Sequence, residues 1–449
     1  MWVWSGVGAV ALAPGAPARE PSHLEGTRPT VGAPVESGAL PTIGAEPRSI
    51  DLPTVLRLAR EQNLSIAQAA ELVNEVRAFR AGARAQALPS LGLSAGLARL
   101  SPNIATVAGI PAGRVTLFTA PGRVYYDARA ARFAVRAAEF NREDVTQEIL
   151  LEAAAGYSSL QLAQGLVRVA EQAVAQAREL VRQTQELRSA GLALDADVLR
   201  ARARLGEEEQ GLLEAQKDLR VASIRLATLL RLPPTVALVA GEAQIQEPAR
   251  VPPEAAPEDL VRRALSQRPE LGLATAEIRG AEMRRKGALW GALFPVIGVE
   301  RWFGGVTTDT PQASRRTWFY AEWRLLDNLG GSARSRIDQS KSQERQARLR
   351  QNELREQIAG EVLAAQQAAA AAREQVQVAQ QQVAAAEGSL RVFQERYRNG
   401  LGIQLDVLTA QQAVTQARQN QVTAIVRYNL ARAELQNRLG EPLSEETAK

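Results

Sequence analysis

The sequence predicts a mixed α and β membrane protein, in which long coiled-coil helices carry a small set of amphipathic strands. Three observations predict it. Half of the chain is written twice. Long Gly- and Pro-poor stretches keep a seven-residue apolar repeat. Two short segments in each half switch to an apolar period of two.

Composition sets the limits first. The 449 residues could fill two or three ordinary domains. Aromatics make up only 4% while Ala and Gln abound, a profile of long helices. The 54 basic and 49 acidic residues leave a net charge of +5. No dense basic tract is interleaved with aromatics, so nucleic acid is excluded as a partner. Cysteine is absent, which rules out disulfides and thiolate metal sites. The single histidine, His23, reads as a solvated residue of a Pro/Gly-rich leader. Without Cys or a usable His, no enzyme activity, cofactor or metal is expected. No run of 18 apolar residues offers a membrane-spanning helix.

Residues 1–48 form the leader, whose composition suits a flexible segment. MWVWSGVGAVALAPGAPA has the apolar centre and small-residue end of an export signal but lacks its basic start. The first repeat spans 49–232, a linker 233–256, the second repeat 257–440 and a tail 441–449. Each repeat opens with a helix, NLSIAQAAELV from Asn63 and RPELGLATAEI from Arg268, that stops at Leu88-Pro89 or Phe294-Pro295.

Strand patterns follow both prolines. A β-hairpin is expected over 89–126, from LGLSAGLARL (Leu91–Leu100) and RVTLFTAPGRVYY (Arg114–Tyr126). A second is expected over 294–327, from VIGVERWFGG and RRTWFYAEWRLL. In the last strand Phe319, Ala321, Trp323 and Leu325 share one face; Trp318, Tyr320, Glu322 and Arg324 share the other. A two-stranded hairpin is barely stable alone, so these strands need partners, and closing a barrel across subunits supplies them.

The long helices come next. Asp127–Ser189 would measure about 95 Å and Ser332–Arg398 about 100 Å. The second carries a seam alternating four and three: Ile358, Val362, Ala365, Ala369, Ala372, Val376, Ala379, Val383, Ala386, Leu390, Phe393 and Tyr397. The first keeps the same register from Ile149 to Val181. A strict seven-residue repeat imposes a left-handed supercoil. The last helix carries two seams, one through Val407, Ala410 and Val414 and one through Val422 and Ile425, so it needs a neighbour on each side.

Each long helix ends in a tip. TQELRSAGLALDADVL (Thr184–Leu199) and FQERYRNGLGIQLDVL (Phe393–Leu408) place Gly191 on Gly400 and Asp197 on Asp406. The tips are expected at 190–197 and 399–406, with Gly191, Gly400 and Gly402 as hinge residues. Asp197 and Asp406 read as N-caps of the returning helices.

Together these features resemble the TolC family of bacterial outer-membrane efflux proteins. The strongest marks are YRNGLGIQLDVLTAQQ and LLDNLGGSARSRI (Leu325–Ile337), similar to the family's strand-to-helix junction. The resemblance implies a long α-helical coiled-coil barrel plus four transmembrane β-strands per protomer in a 12-stranded trimeric β-barrel. It implies a homotrimer in outer-membrane lipid, reaching into the periplasm and working with a periplasmic adaptor (membrane fusion protein) and an inner-membrane pump. The function implied is a passive exit conduit for efflux or type I secretion; a periplasmic adaptor or coiled-coil scaffold is the alternative. Residues 231–254 would form an equatorial belt. By the same resemblance Asp406, Asp197 and Tyr397 line or hold the periplasmic aperture. The family's Arg partner of that Tyr is Gly402 here, and a second Asp is Thr409.

Overall fold

Proline placement decides where several helices begin. It stands at the start of α1 (Leu52–Gln62), α3 (Pro121–Ser189), α5 (Pro257–Gln267) and α6 (Pro269–Leu293). A helix's first turn lacks partners for its N–H groups, so a residue without one fits there. The computed structural model describes residues 48–88, 90–96, 112–241, 256–303, 315–323 and 330–443. The remaining elements are β1 (Arg48–Ile50), α2 (Leu64–Ala85), β2 (Ser90–Gly96), β3 (Ala112–Thr119), α4 (Asp195–Leu229), β4 (Leu238–Ala240), β5 (Val296–Phe303), β6 (Arg315–Glu322), α7 (Gly331–Arg398) and α8 (Gln404–Arg438).

Pro121 also moves one expected boundary. Arg123–Tyr126, read as the end of a strand, form the first turns of α3. Gly122 permits this: a β-carbon there would lie 2.7 Å from the Trp290 carbonyl oxygen and 2.8 Å from the Phe294 side chain. The opening helix of each repeat is broken in two. Asn63 and Arg268 are both extended, with ψ near 127° and 128°. Pro269 forces Arg268 out of the helical region, and the Asn63 side chain caps α2 by accepting from Ser65 N at 2.8 Å.

Four of the strands form one antiparallel sheet in the order β2-β3-β5-β6. Directly paired residues share a face. Ile297 pairs with Ala321 and Val299 with Phe319, giving an apolar face; Gly298 pairs with Tyr320 and Glu300 with Trp318 on the other. The Tyr320 ring lies across Gly298, where a β-carbon would meet it at 2.3 Å. Phe319 is 81% exposed, so this part of the apolar face has no cover among the described residues. Expected strand residues 97–100, 304–305 and 324–326 lie outside the described residues, as do Leu325–Leu329 of the junction motif.

The helices lie side by side. Near the sheet the order is α2, α3, α6, α7; near the tips it is α4, α3, α8, α7. All twelve α7 seam positions are buried or half-buried. In α8, Val407, Ala410 and Val414 are buried, and Val422 closes on Gly165 of α3. Two short strands that the period of the sequence does not reveal, β1 and β4, pair in parallel midway along the helices, over a core of Val55, Leu150, Leu160, Leu226 and Leu230.

Candidate functional site at the hairpin tips

Both tips close with the same hydrogen bonds. At the first, Gly191 has φ 74°, its N–H donates to Arg188 O at 2.9 Å, and Leu192 N donates to Leu187 O at 2.8 Å. At the second, Gly400 has φ 69°, its N–H donates to Tyr397 O at 3.1 Å, and Leu401 N to Arg396 O at 2.8 Å. Only glycine enters this left-handed region without cost. Gly402 differs: a β-carbon there would press on Arg396 Cβ and Tyr397 N at 3.2 Å, so it serves close approach. An Arg188–Asp195 ion pair spans the first tip.

The two aspartates are not N-caps. Those positions fall to Leu194 and Ile403, and Asp197 and Asp406 stand three residues later. The tip closes so tightly that the helix restarts before either carboxylate. From there Asp197 reaches back, accepting from Leu194 N at 3.1 Å and from Arg200 at 3.4 Å. The Asp406 carboxylate has no hydrogen-bond or ion-pair partner among the described residues, while its backbone N donates to Ile403 O at 3.2 Å. Thr409 turns inward on its own helix, donating to Leu405 O at 3.0 Å.

Tyr397 is buried, in a cluster with Leu180, Ala201, Leu390, Val407, Ala410 and Val414 drawn from all four tip helices. Its hydroxyl lies 3.3 Å from that of Thr184, which is fully buried. Gln404 Nε2 donates to the same Thr184 oxygen at 3.3 Å and to Asp197 O at 2.8 Å. Gln404 Oε1 is buried with no hydrogen-bond partner among the described residues. Sequence reasoning missed Thr184 and Gln404. The signal was available: Thr184 is the next position of the α3 seam after Val181, and Gln404 and Gln411 interleave with Val407 and Val414. Polar residues at such positions fix register and cost stability.

The contact between α8 and α3 is therefore polar near the tips. Gln404, Gln411 and Arg418 follow one another at seven-residue intervals. Gln411 donates to Gln176 O at 3.4 Å, and Arg418 to Gln172 Oε1 at 2.8 Å and Glu387 at 2.7 Å. Farther from the tips the contact becomes apolar, with Val422 against Gly165. Leu192, Leu194, Leu401, Ile403 and Leu405 are all exposed, giving both tips an apolar rim. On α3 beside the tip, hydrogen bonds from Arg182 and then Gln183 hold Glu179 down to about 2.

A sequence profile described as outer membrane efflux protein matches residues 55–230 and 313–441. Among solved structures, CusC shares 18% identity at a TM-score of 0.76, covering 87% of this chain and 92% of that one. The outer membrane protein VceC of Vibrio cholerae shares 20% identity at 0.72, covering 88% and 97%. The MtrE outer membrane channel of Neisseria gonorrhoeae, solved in an open state, shares 18% at 0.71, covering 88% and 90%. No match was found among curated proteins.

Proposed function

The chain belongs to the outer membrane efflux protein family, and on that premise we propose that three copies close into one passive duct. Three four-stranded sheets make a 12-stranded barrel in the outer membrane, and the helices continue it through the periplasm. The pore does no catalysis; export is driven by an inner-membrane pump reached through a periplasmic adaptor. The apolar tip rim is the surface such an adaptor would cover. The family match favours this reading over an adaptor or scaffold.

The observation that carries ring closure is the pair of free edges. Near the tips, α4 exposes Leu199 and Leu213, two heptads apart, and α7 exposes Val392 and Val378, also two heptads apart. The two helices run in opposite directions, and Leu199 and Val392 both lie within about two turns of the tip. Edge meets edge in register when copies are set in a ring. Exposed apolar stripes of this length mark an interface.

The aperture lies at the second tip. Tyr397 and Gln404 hold the α7–α8 hairpin to α3, and Asp406 presents a carboxylate to the opening. Asp197, already held by Leu194 N and Arg200, takes the smaller part. Gly191, Gly400 and Gly402 shape the turns.

The chain has no cysteine, so paired substitutions test the ring directly. Leu213→Cys with Val378→Cys, oxidised in isolated outer membranes, should give a disulfide ladder ending at the trimer. A band pattern that stays monomeric, while either cysteine alone is reactive to a thiol probe, overturns this edge pairing.

A further inference from the structure

We propose that a hollow beside the sheet binds the phosphate of an anionic glycerophospholipid in the periplasm-facing leaflet of the outer membrane. The hollow, of about 660 Å³, lies where the last turn of α2 meets the first turns of α3. Its lining includes Arg84, Arg129 and Arg132, together with Thr119 and Tyr125. None of the three arginines has a carboxylate partner among the described residues. That contrasts with their neighbour Arg123, paired to Asp127 at 3.1 Å, and with the laddered arginines farther along the helices. Arg129 lies over the Tyr125 ring, 5.2 Å from its centre.

The location names the ligand. Thr119 pairs with Ile297, so the register sets it on the apolar sheet face with Ile297, Val299 and Phe319. The hollow therefore opens at the helix-side border of that face. Around this border Leu88, Leu293 and Phe294 are exposed, and Tyr125 is 54% exposed. Apolar surface above, aromatic side chains at the edge and unpaired cations below reproduce the profile of a lipid leaflet from acyl chain to headgroup. Guanidinium forks match phosphate oxygens, and a basic hollow at this depth draws anionic headgroups. A soluble phosphate would use the arginines but not the apolar border. The lipid satisfies both.

The proposal rests on the outer-membrane placement of the sheet, so fractionation and trimer mass are measured on the same preparation. That protein, in neutral detergent, is offered phosphatidylglycerol or phosphatidylcholine and analysed by native mass spectrometry. Phosphatidylglycerol should be retained about fivefold or more over phosphatidylcholine. The triple substitution Arg84→Gln, Arg129→Gln, Arg132→Gln should erase the difference, and Arg132→Gln alone should reduce it. Inorganic phosphate at millimolar concentration should leave the lipid bound. Equal retention of the two lipids by the wild-type trimer overturns the proposal without recourse to any variant. So does a preference that survives the triple substitution in a folded trimer. Displacement by inorganic phosphate would make the hollow a free-anion site and overturn the lipid assignment. A protein found outside the outer membrane would instead defeat the placement itself.

Discussion

Arg231 carries strain that its counterpart in the second repeat avoids. The alignment that sets Gly191 on Gly400 sets Arg231 on Gly440. Both follow a helix end closed by the same bonds: Leu232 N donates to Ala227 O at 2.8 Å, and Glu441 N to Gln436 O at 3.2 Å. Arg231 has φ 56° and Gly440 φ 78°. A side chain in this region costs about 1–2 kcal/mol. Arg231→Gly should raise the melting temperature of the purified protein, by about 1 kcal/mol of stability once glycine's own entropy is counted. An unchanged or lower melting point would show that the arginine side chain contributes more than the strain costs. The reverse exchange is closed to Gly440, where a β-carbon would lie 2.9 Å from Arg268 N. That same Arg268 is buried and bonds Glu270 at 2.5 Å and Glu361 at 2.7 Å. Beside it Asp144 is raised from 3.8 to about 6, by burial first and then by Glu270 and Glu148, with Arg268 opposing. A carboxyl raised in the folded state binds its proton more tightly there than in the unfolded chain. It therefore favours the fold below its unfolded value, and stability falls as pH rises from about 4 to about 6. Asp144→Asn should flatten that limb and exceed the parent above pH 6. Because solvent reaches this half-buried group, the gain should be about 1 kcal/mol. Melting curves from pH 4 to 8 check it; parallel profiles for the two proteins would refute it.

At the scale of elements, the sequence told most where a period persisted. The α7 seam runs through twelve positions, and a helix of that length averages away local exceptions. The strands were legible because Ile297, Val299, Phe319 and Ala321 alternate with Gly298, Glu300, Tyr320 and Glu322. Their ends were not: Pro121 starts a helix that the aromatic run Tyr125-Tyr126 had disguised as strand. The β1–β4 pair was invisible because each strand has only three residues and its partner is far along the chain. The tip aspartates stood out in the sequence as N-caps, but the caps lie three residues earlier, since only backbone bonding reveals where a helix restarts. Thr184 and Gln404 were passed over because a seam is sought by its apolar members, and these are the polar ones. They make the contact between hairpins a weak one. Each neutral hydrogen bond contributes about 1 kcal/mol, while the buried, unpartnered Gln404 Oε1 costs a similar amount. Such a contact can part near the tips while Val422 and Gly165 stay packed above. Tyr397→Phe removes the 3.3 Å link to Thr184 and keeps the ring in its cluster. It should raise the conductance of single channels in planar bilayers, with the protein still folded. Conductance equal to the parent's, in both Tyr397→Phe and Thr184→Val, would mean that this contact does not restrain the aperture.

At the scale of the whole molecule, duplication and the proposed threefold assembly would solve one problem together. A single chain exposes two sheet edges, two helix edges and an apolar sheet face. In the proposed assembly, three copies would bury the edges in one another and leave the apolar face to lipid. The same symmetry would multiply whatever stands at the tips, so that one carboxylate becomes a ring of three. On the proposed reading Asp406 is the group so placed, because its carboxylate has no partner among the described residues, whereas that of Asp197 is held by Leu194 N and Arg200. At a separation of roughly 6 Å in water, each pair of such charges repels by about 0.7 kcal/mol, and by more where water is excluded. The ring would concentrate cations at the mouth, and its repulsion would oppose the hydrogen bonds of Tyr397 and Gln404 that draw the hairpins together. Closure is then a balance of two small terms, which an adaptor seated on the apolar rim could tip. Asp406→Asn removes the charge and keeps nearly the same shape, and the N–H that bonds Ile403 O is a backbone group that survives the change. Folding and assembly should therefore persist. In planar bilayers the variant should lose cation selectivity and become less sensitive to block by multivalent cations. If an intact trimer keeps both properties unchanged, the carboxylate does no more than favour the helix start through its dipole, and the constriction lies with Asp197 or around Tyr397.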